Sequence, residues 1–342
     1  MTLFLKRFYA IFKARNTEFF RDRASLGWSI LFPVLLLVGF AVVFSGDGKS
    51  VYKIGLLNTP DTNTEFMATK YIEFVDYEEQ ELGLARLRQH KLDLLIDYEN
   101  YQYWLNDSSP NGYLTEKLLL ATNEQGLNVT WQKQQVSGKQ IRYLDWVLPG
   151  ILGMNMMFSC LFGVGYVIVR YRKNMVLKRL NATPVSALEF LSAQVFSRLW
   201  IVMCIASMIF IGCNFIFDFY MLGSYFDLFI IAVLGAMCLI SLGLCIASRS
   251  ESEELTGGLL NLATWPMMVL SGVWFSLEGS PEVVQQIALI LPLTHLVEGA
   301  RSIMTDGADL MAIKHHVLSL IVMTTIFMSI GVKTFKWQGS GR

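Results

Sequence analysis

Residues 146–169 read WVLPGILGMNMMFSCLFGVGYVIV, a run without a single charge, and RYRKNMVLKR follows at once. At about 1.5 Å per residue, a helix of this length exceeds the ~30 Å hydrocarbon core of a bilayer. The basic cluster that stops it marks the end held at a cytoplasmic surface, because Lys and Arg near span ends set orientation. One such block alone would also suit the buried helix of a soluble protein.

Working outward, five further blocks repeat the pattern at 26–44, 199–217, 228–247, 255–275 and 317–332. Six blocks in one chain exclude the soluble reading. The composition agrees: 53% of residues are hydrophobic and 16% charged, where soluble domains carry about a quarter charged residues. Lys333 and Lys336 flank the shortest block and can snorkel to the interface. The block at 26–44 is an uncleaved first helix, since a 25-residue segment precedes it and it is longer than a signal-peptide core.

Positive charge falls on alternate connections. Residues 1–25 carry Lys6, Arg7, Lys13, Arg15, Arg21 and Arg23; the loop 170–198 carries Arg170, Arg172, Lys173, Lys178, Arg179 and Arg198; the tail 336–342 carries Lys336 and Arg342. The loop after the third span holds Asp218 and Asp227 without Lys or Arg. The expected fold is therefore an α-helical polytopic membrane protein with six transmembrane helices and both termini cytoplasmic. Its membrane region covers 146–335, beyond the first span.

Residues 45–145 then lie outside and form a small α/β external domain. Strands are expected at 51–57, 71–75, 92–96 and 101–105 from their β-branched and aromatic content, and helices at 78–89 and 113–135. Turns fall at Asn58-Thr59-Pro60-Asp61 and Ser108-Ser109-Pro110-Asn111-Gly112. Asn106-Asp107-Ser108 and Asn128-Val129-Thr130 match the glycosylation triplet, a pattern that chance supplies often.

Phe4, Phe8, Ile11 and Phe12 recur at helical spacing among Lys6, Arg7, Lys13 and Arg15. This is the pattern of an amphipathic helix in the headgroup layer, or of one packed on a partner at the inner surface. In the loop 170–198 a basic helix ends near Leu180, Thr183-Pro184 forces a break, and Pro184 suits the first turn of the next helix. A short, stiff helix–break–helix at the cytoplasmic surface suits docking of a moving partner, and equally an ordinary amphipathic loop. Glu298 and Arg301 stand three apart on one helical face and can pair.

The six blocks, as bounded above, contain no Asp, Glu, Lys, Arg or His, which argues against a carrier driven by a bound ion. No phosphate-binding loop of the form G-x-x-x-x-G-K-[ST] is present, so ATP would have to be bound elsewhere. Asn155, Ser159, Asn214 and Asn261 are polar positions able to line a route or to bond helices together. The five cysteines lie within the apolar blocks and the four histidines show no metal spacing. Lys plus Arg and Asp plus Glu both number 28, giving no electrostatic case for nucleic acid.

The ordered set Arg21-Asp22-Arg23 … Phe32-Pro33, Leu177-Lys178-Arg179-Leu180 … Ala182-Thr183-Pro184-Val185-Ser186 … Glu189, and Ser271-Gly272-Val273-Trp274-Phe275 … Leu291-Pro292-Leu293-Thr294-His295 … Glu298-Gly299-Ala300-Arg301 resembles type-2 ABC exporter permeases. It departs from them at Ala187, commonly basic, and at Ser276, commonly proline. The resemblance implies a coupling helix for an ATP-binding subunit at Lys178, Arg179, Leu180, Thr183, Pro184, Val185 and Glu189. It also implies an outer re-entrant segment at 276–312, broken at Pro292 and carrying His295, Glu298 and Arg301.

The implied function is the permease subunit of an exporter in a bacterial inner membrane, moving an amphipathic or hydrophobic substrate. ATP and Mg would be bound by a separate chain, and the partners would be that ATP-binding cassette subunit, a second permease copy or close relative, and a periplasmic adaptor. A non-transporting scaffold or sensor and an ion-coupled carrier are the competing readings.

Overall fold

In the computed structural model, the residues described are 2–43, 52–58, 66, 67, 69, 72–107, 109–123, 131–136, 142–250, 252–277 and 280–337. The expected turn at Thr59-Pro60-Asp61, Ser108, the triplet Asn128-Val129-Thr130, Glu278 and the tail after Trp337 lie outside them. Two compact units result, one from 44–143 and one from 1–43 with 144–342.

The smaller unit is a five-stranded sheet of order β2-β1-β3-β4-β5. Its strands are β1 (Tyr52–Leu57), β2 (Ile72–Asp76), β3 (Leu94–Asp97), β4 (Gln102–Asn106) and β5 (Gln132–Val136). β1 pairs in parallel with β2 and β3, β3 runs antiparallel to β4, and β4 is parallel to β5. Alternate side chains feed two cores, with Ile54, Leu94, Ile96 and Leu105 in one and Leu57, Leu95 and Trp104 in the other, as the period-2 geometry of strands requires. α3 (Gln80–Arg88) and α4 (Pro110–Asn123) bring Leu87 and Leu119 to those cores.

The helix expected over 113–135 is not one helix: α4 stops at Asn123 and β5 occupies 132–136. Gln-Lys-Gln-Gln favours a helix on propensity, but the backbone of β4 offers a ladder from Gln102 to Asn106. Trp131 seats the chain there, with edge-on contacts to Tyr98 and Tyr101 at 5.6 Å. Tertiary pairing outweighs propensity of a few tenths of a kcal/mol per residue. The Glu116 carboxylate of α4 accepts from the Tyr103 hydroxyl at 2.8 Å and meets Lys133 Nζ at 2.9 Å, tying helix to sheet.

The regular elements described in the larger unit are all helices. α1 (Thr2–Arg21) and α2 (Arg23–Val43) are separated by Asp22, whose carboxylate accepts from the Ser25 amide and hydroxyl and so caps α2. Then come α5 (Tyr143–Lys173), α6 (Val176–Asn181), α7 (Ala187–Phe217), α8 (Tyr225–Ala247), α9 (Glu253–Leu270), α10 (Glu282–Ala288), α11 (Pro292–Asp306) and α12 (Lys314–Thr334). Five of these, α2, α5, α7, α8 and α12, are long and apolar enough to cross a membrane. α10 and α11 pass the same test together but are bent by 97°.

The block expected at 255–275 is not among the five. Its helix, α9, stops at Leu270, because Ser271 leaves helical geometry and Gly272 adopts φ +66°. Even so, the segment from Glu253 to Val273 lies along α5 between Lys173 and Gly150. Lys173 Nζ lies 3.4 Å from Glu253 at one end, and a Cβ on Gly150 would run into the Val273 backbone at the other. Close helix approach elsewhere also depends on small residues: a Cβ on Gly243 would stand 3.1 Å from the Leu161 Cα and carbonyl oxygen.

The ends of α5, α8 and α12 converge on one side chain. Arg172, 6% exposed, donates to the carbonyls of Ala247, Ser248, Ser250 and Lys336. A helix leaves its last four carbonyls without internal partners, and its C-terminus carries partial negative charge. The guanidinium satisfies both demands for α8. The same contacts draw in residues 335–337: the Lys336 amide donates back to the Ser248 carbonyl, and Phe335 and Trp337 ring-pack on Phe190. Arg172, read from sequence as a loop charge, is thus buried within the bundle.

Two predictions follow from this architecture. Arg172→Lys keeps the charge but loses the fork, at a cost of roughly 3 kcal/mol; the detergent-solubilised chain should melt several degrees lower, and an unchanged midpoint would refute the clamp. In the sheet, burial would raise the Glu116 carboxyl, but the Lys133 ammonium and Tyr103 hydroxyl outweigh it and hold it below the ordinary value. A lowered folded-state value gives stability that is full above the unfolded carboxyl pKa of about 4.3 and is lost as pH falls through the folded value. Glu116→Gln should therefore flatten the acid dependence of hydrogen exchange in β4 and α4. Comparing the variant with wild type cancels the opposite, burial-driven shift of Asp93.

Candidate functional site

The residues singled out between Lys178 and Glu189 lie where α5, α6, α7 and α1 meet. α5 ends as Met175 enters the left-handed region at φ 58°. α6 is anchored by Leu177, fully buried, while Lys178 and Arg179 face outward. Leu180 and Val185 are half-buried against the bundle core, and Thr183 and Pro184 are exposed. The Thr183 hydroxyl donates to the Leu180 carbonyl at 2.6 Å, closing the turn.

Pro184 does not open the next helix, as expected from sequence. α7 begins at Ala187 behind a capping box: the Ser186 hydroxyl accepts from the Glu189 amide at 3.2 Å, and the Glu189 carboxylate accepts from the Ser186 amide at 2.7 Å. The Ser-x-x-Glu spacing is the signal that locates this start. Glu189 is consequently buried and capping, not an exposed docking charge.

α1 is fastened to the same turn. Arg7 donates to the Pro184 carbonyl, and its guanidinium lies 3.8 Å from Glu189. Further along, Glu18 accepts from Arg15 at 2.7 Å, from Arg170 at 3.2 Å and from the Tyr171 hydroxyl. Burial alone would raise the Glu18 carboxyl; Tyr171 and the two guanidinium groups hold it below the ordinary range. The Ser197 hydroxyl reaches Asn16 at 3.2 Å and Phe8 meets Phe196 edge-on. Phe8 of the aromatic face of α1 therefore packs on α7, and the platform of α1, α6 and the two helix ends is one connected body.

Inside the bundle the charge-free expectation fails. The block drawn from 199 begins one residue too late: Arg198 is the twelfth residue of α7, buried, donating from Nε to the Ser159 carbonyl at 2.7 Å and from Nη2 to the Ser159 hydroxyl at 2.8 Å. Its guanidinium lies over the Phe19 ring, and Gly163 leaves room for it, since a Cβ there would collide with it. Counting helical residues from the capping box would have placed it. Ser159 is thus a partner of Arg198. Asn214 lines a cavity of about 460 Å³ among α5, α7, α8 and α11, with Met156, Phe210, Phe229 and Leu296. Asn155 is half-buried on α5 and Asn261 exposed on α9.

The other predicted cluster gathers on α11. Pro292 takes its first position, where a missing N–H costs nothing. Arg301 donates to the Trp146 carbonyl at 3.2 Å and the Gly272 carbonyl at 2.8 Å, and stacks on the Trp146 ring at 3.8 Å. It thereby holds the start of α5, the end of α9 and α11 together. His295 Nδ1 lies 2.9 Å from His316 Nδ1 on α12, and Glu298 lies 4.0 Å from His316 Nε2. His316 was missed because the last block, drawn from 317, excluded it. Among the described residues no group of three His, Cys, Asp or Glu is arranged to hold a metal.

Relatives give this geometry a context. One, from Escherichia coli (strain K12), is named "Probable multidrug ABC transporter permease YbhS"; it is 20% identical over 360 aligned positions that cover 95% of each chain. Another from the same organism, "Inner membrane transport permease YhhJ", is 25% identical over 174 residues, 50% of this chain. The match spans about half the length of that relative, 46%. Residues 23–333 match the family described as "ABC-2 family transporter protein". Helices long enough to cross a membrane, in a chain matched from the start of α2 to the end of α12, are what such a family requires, and this chain belongs to the ABC-2 family of transporter proteins.

Proposed function

We propose that this chain is the membrane-spanning subunit of an ATP-driven exporter and that the turn at 174–186 receives the ATP-binding subunit. The observation that carries the reading is the fastening of an exposed turn to three helices at once. Leu177 is buried in the core, Arg7 holds Pro184, and Glu189 caps α7. Outward from this frame stand Lys178, Arg179, Met175 and Leu188, the last two 57% and 61% exposed. A push on the turn is transmitted to α1, α5 and α7 together, which a floppy loop would absorb.

Orientation follows from charge. The platform end bears Lys6, Arg7, Arg170, Lys173, Lys178, Arg179 and Lys336, so it is the cytoplasmic end and both termini lie there. The sheet unit, inserted after α2, is then external and is the part available to a periplasmic adaptor. ATP and Mg belong to the separate ATP-binding chain, and this chain acts as a positioning and conducting element without hydrolysing anything. A second copy or close relative completes the path across the inner membrane.

The apolar cavity with Asn214 at its wall supports an amphipathic or hydrophobic substrate. Such pockets combine apolar lining with a few oriented polar groups. The name of the full-length relative, a probable multidrug permease, points the same way.

The reading predicts that a co-expressed ATP-binding subunit co-purifies with this chain and that Lys178→Glu with Arg179→Glu weakens the complex about tenfold. Retention of the subunit after replacement of 174–186 by a Gly-Ser linker would overturn it. Arg7→Ala, by contrast, should leave the subunit bound while transport per ATP hydrolysed falls about two- to fivefold, in line with a coupling of up to ~1 kcal/mol.

A further inference from the structure

The buried His295–His316 pair does nothing in the scheme so far, and its hydrogen-bond logic is unusual. Each ring is almost fully buried, at 3% and 5% exposure. The two Nδ1 atoms face each other at 2.9 Å, and only one proton fits between them. His295 Nε2 lies 2.9 Å from the Leu289 carbonyl, which accepts only, so Nε2 carries a proton. In the neutral pair His295 Nδ1 must then accept and His316 Nδ1 must donate. That leaves His316 Nε2 as a bare acceptor, 4.0 Å from the Glu298 carboxylate.

We propose that His295, His316 and Glu298 form a proton-binding site that latches α11 onto α12, closed with one added proton or none and opened by a second. The first proton has a place, on His316 Nε2 toward Glu298, and the Nδ1–Nδ1 bond survives it. The closed pair then holds three N–H protons. A fourth would have to enter between the two Nδ1 atoms, where two N–H groups would point at each other. It can bind only if the rings part, so the open form holds one proton more than the closed form.

The surroundings fit a latch. His315, exposed, lies against His316 with ring centres 3.9 Å apart and planes tilted by 43°, next to the buried pair. The other charged groups on the packed elements are Lys314 and, at the far end, Lys333 on α12, Glu298, Arg301 and Asp306 on α11, and Asp227 in the first turn of α8. Gly299 allows the close approach: a Cβ there would lie 3.1 Å from Ile231 of α8 and 3.7 Å from the His316 Cβ. α11 also supplies Leu296, Ala300 and Met304 to the wall of the apolar cavity. Releasing it opens that wall, which makes substrate access depend on the acidity of the outer compartment; this consequence rests on the exporter reading, whereas the latch itself does not.

The sign follows from proton counting. Because the open form binds the extra proton, acid favours opening, by about tenfold per pH unit below the ordinary histidine value of about 6.5. Hydrogen exchange of the α11 amides, measured on the full chain in nanodiscs and corrected for intrinsic rates, reads this directly. Between about pH 7.5 and 5.0 the wild type should lose protection in α11 about tenfold or more, while α5 and α8 stay unchanged. His316→Asn offers His295 either its N–H or, turned over, its oxygen, so neutral and charged His295 both fit the closed form, and it should show the same exchange at both pH values. His295→Asn, which offers an oxygen acceptor to His316, should behave likewise and serves if the first variant does not fold. His315→Asn should retain the pH dependence. Equal wild-type exchange at the two pH values, or a pH dependence that persists in the Asn variants at 316 and 295, would overturn the latch. No ATP-binding subunit takes part, so failure here is distinct from failure of the exporter reading.

Discussion

A single guanidinium, that of Arg172, sits buried among the carbonyl oxygens where α8 ends, where α9 is about to begin and where the chain leaves α12. A bilayer gives the chain no water with which to satisfy its backbone, so spans are helices and the unsatisfied groups collect at helix ends. At this end they are gathered onto one cation. The alternative is a set of frayed ends, and frayed ends cannot present a surface of fixed shape. The neighbouring platform takes its rigidity from this arrangement, because Phe190 of α7 packs on the same 335–337 segment that Arg172 holds.

From that fixed end the molecule divides its labour. Arg7, Glu189 and Leu177 make the turn at 174–186 part of the bundle, while Lys178 and Arg179 stay exposed. At the other end Arg301 performs a task like that of Arg172, binding the Trp146 and Gly272 carbonyls and the Trp146 ring. Between Arg301 and the break before Pro292, α11 is held to α12 by two imidazoles and a carboxylate, groups whose mutual attraction depends on proton number. Each end is therefore held by an arginine, and α11 meets α12 through ring nitrogens and a carboxylate that can bind protons.

Much of this was legible in the sequence, because the signals involved are long or local. Uncharged blocks of membrane-crossing length located five helices, and their flanking charges grouped the connections. The parts that were not legible share a cause. The boundary of an apolar block is not the boundary of a helix: drawing blocks from 199 and 317 excluded Arg198 and His316, each one residue away and each buried. A capping box at Ser186 and Glu189 was readable and would have moved the start of α7 inward, bringing Arg198 into view. β5 was not readable, since Gln-Lys-Gln-Gln carries no alternation and its strand state is conferred by β4. The contacts of Arg172 with four carbonyls could not be read either, because nothing in a sequence distinguishes a loop arginine that faces water from one that folds back onto helix ends.

The central claim is that the turn at 174–186, fixed by the bundle, is where an ATP-binding subunit applies its force. Photo-crosslinking residues placed at the exposed positions Met175 and Leu188, and at Tyr113 on the sheet unit, test it in intact cells that co-express the two chains. The account predicts adducts between the ATP-binding subunit and positions 175 and 188, and none from 113. Adducts from 113, or none from 175 and 188 while the subunits still co-purify, would contradict it.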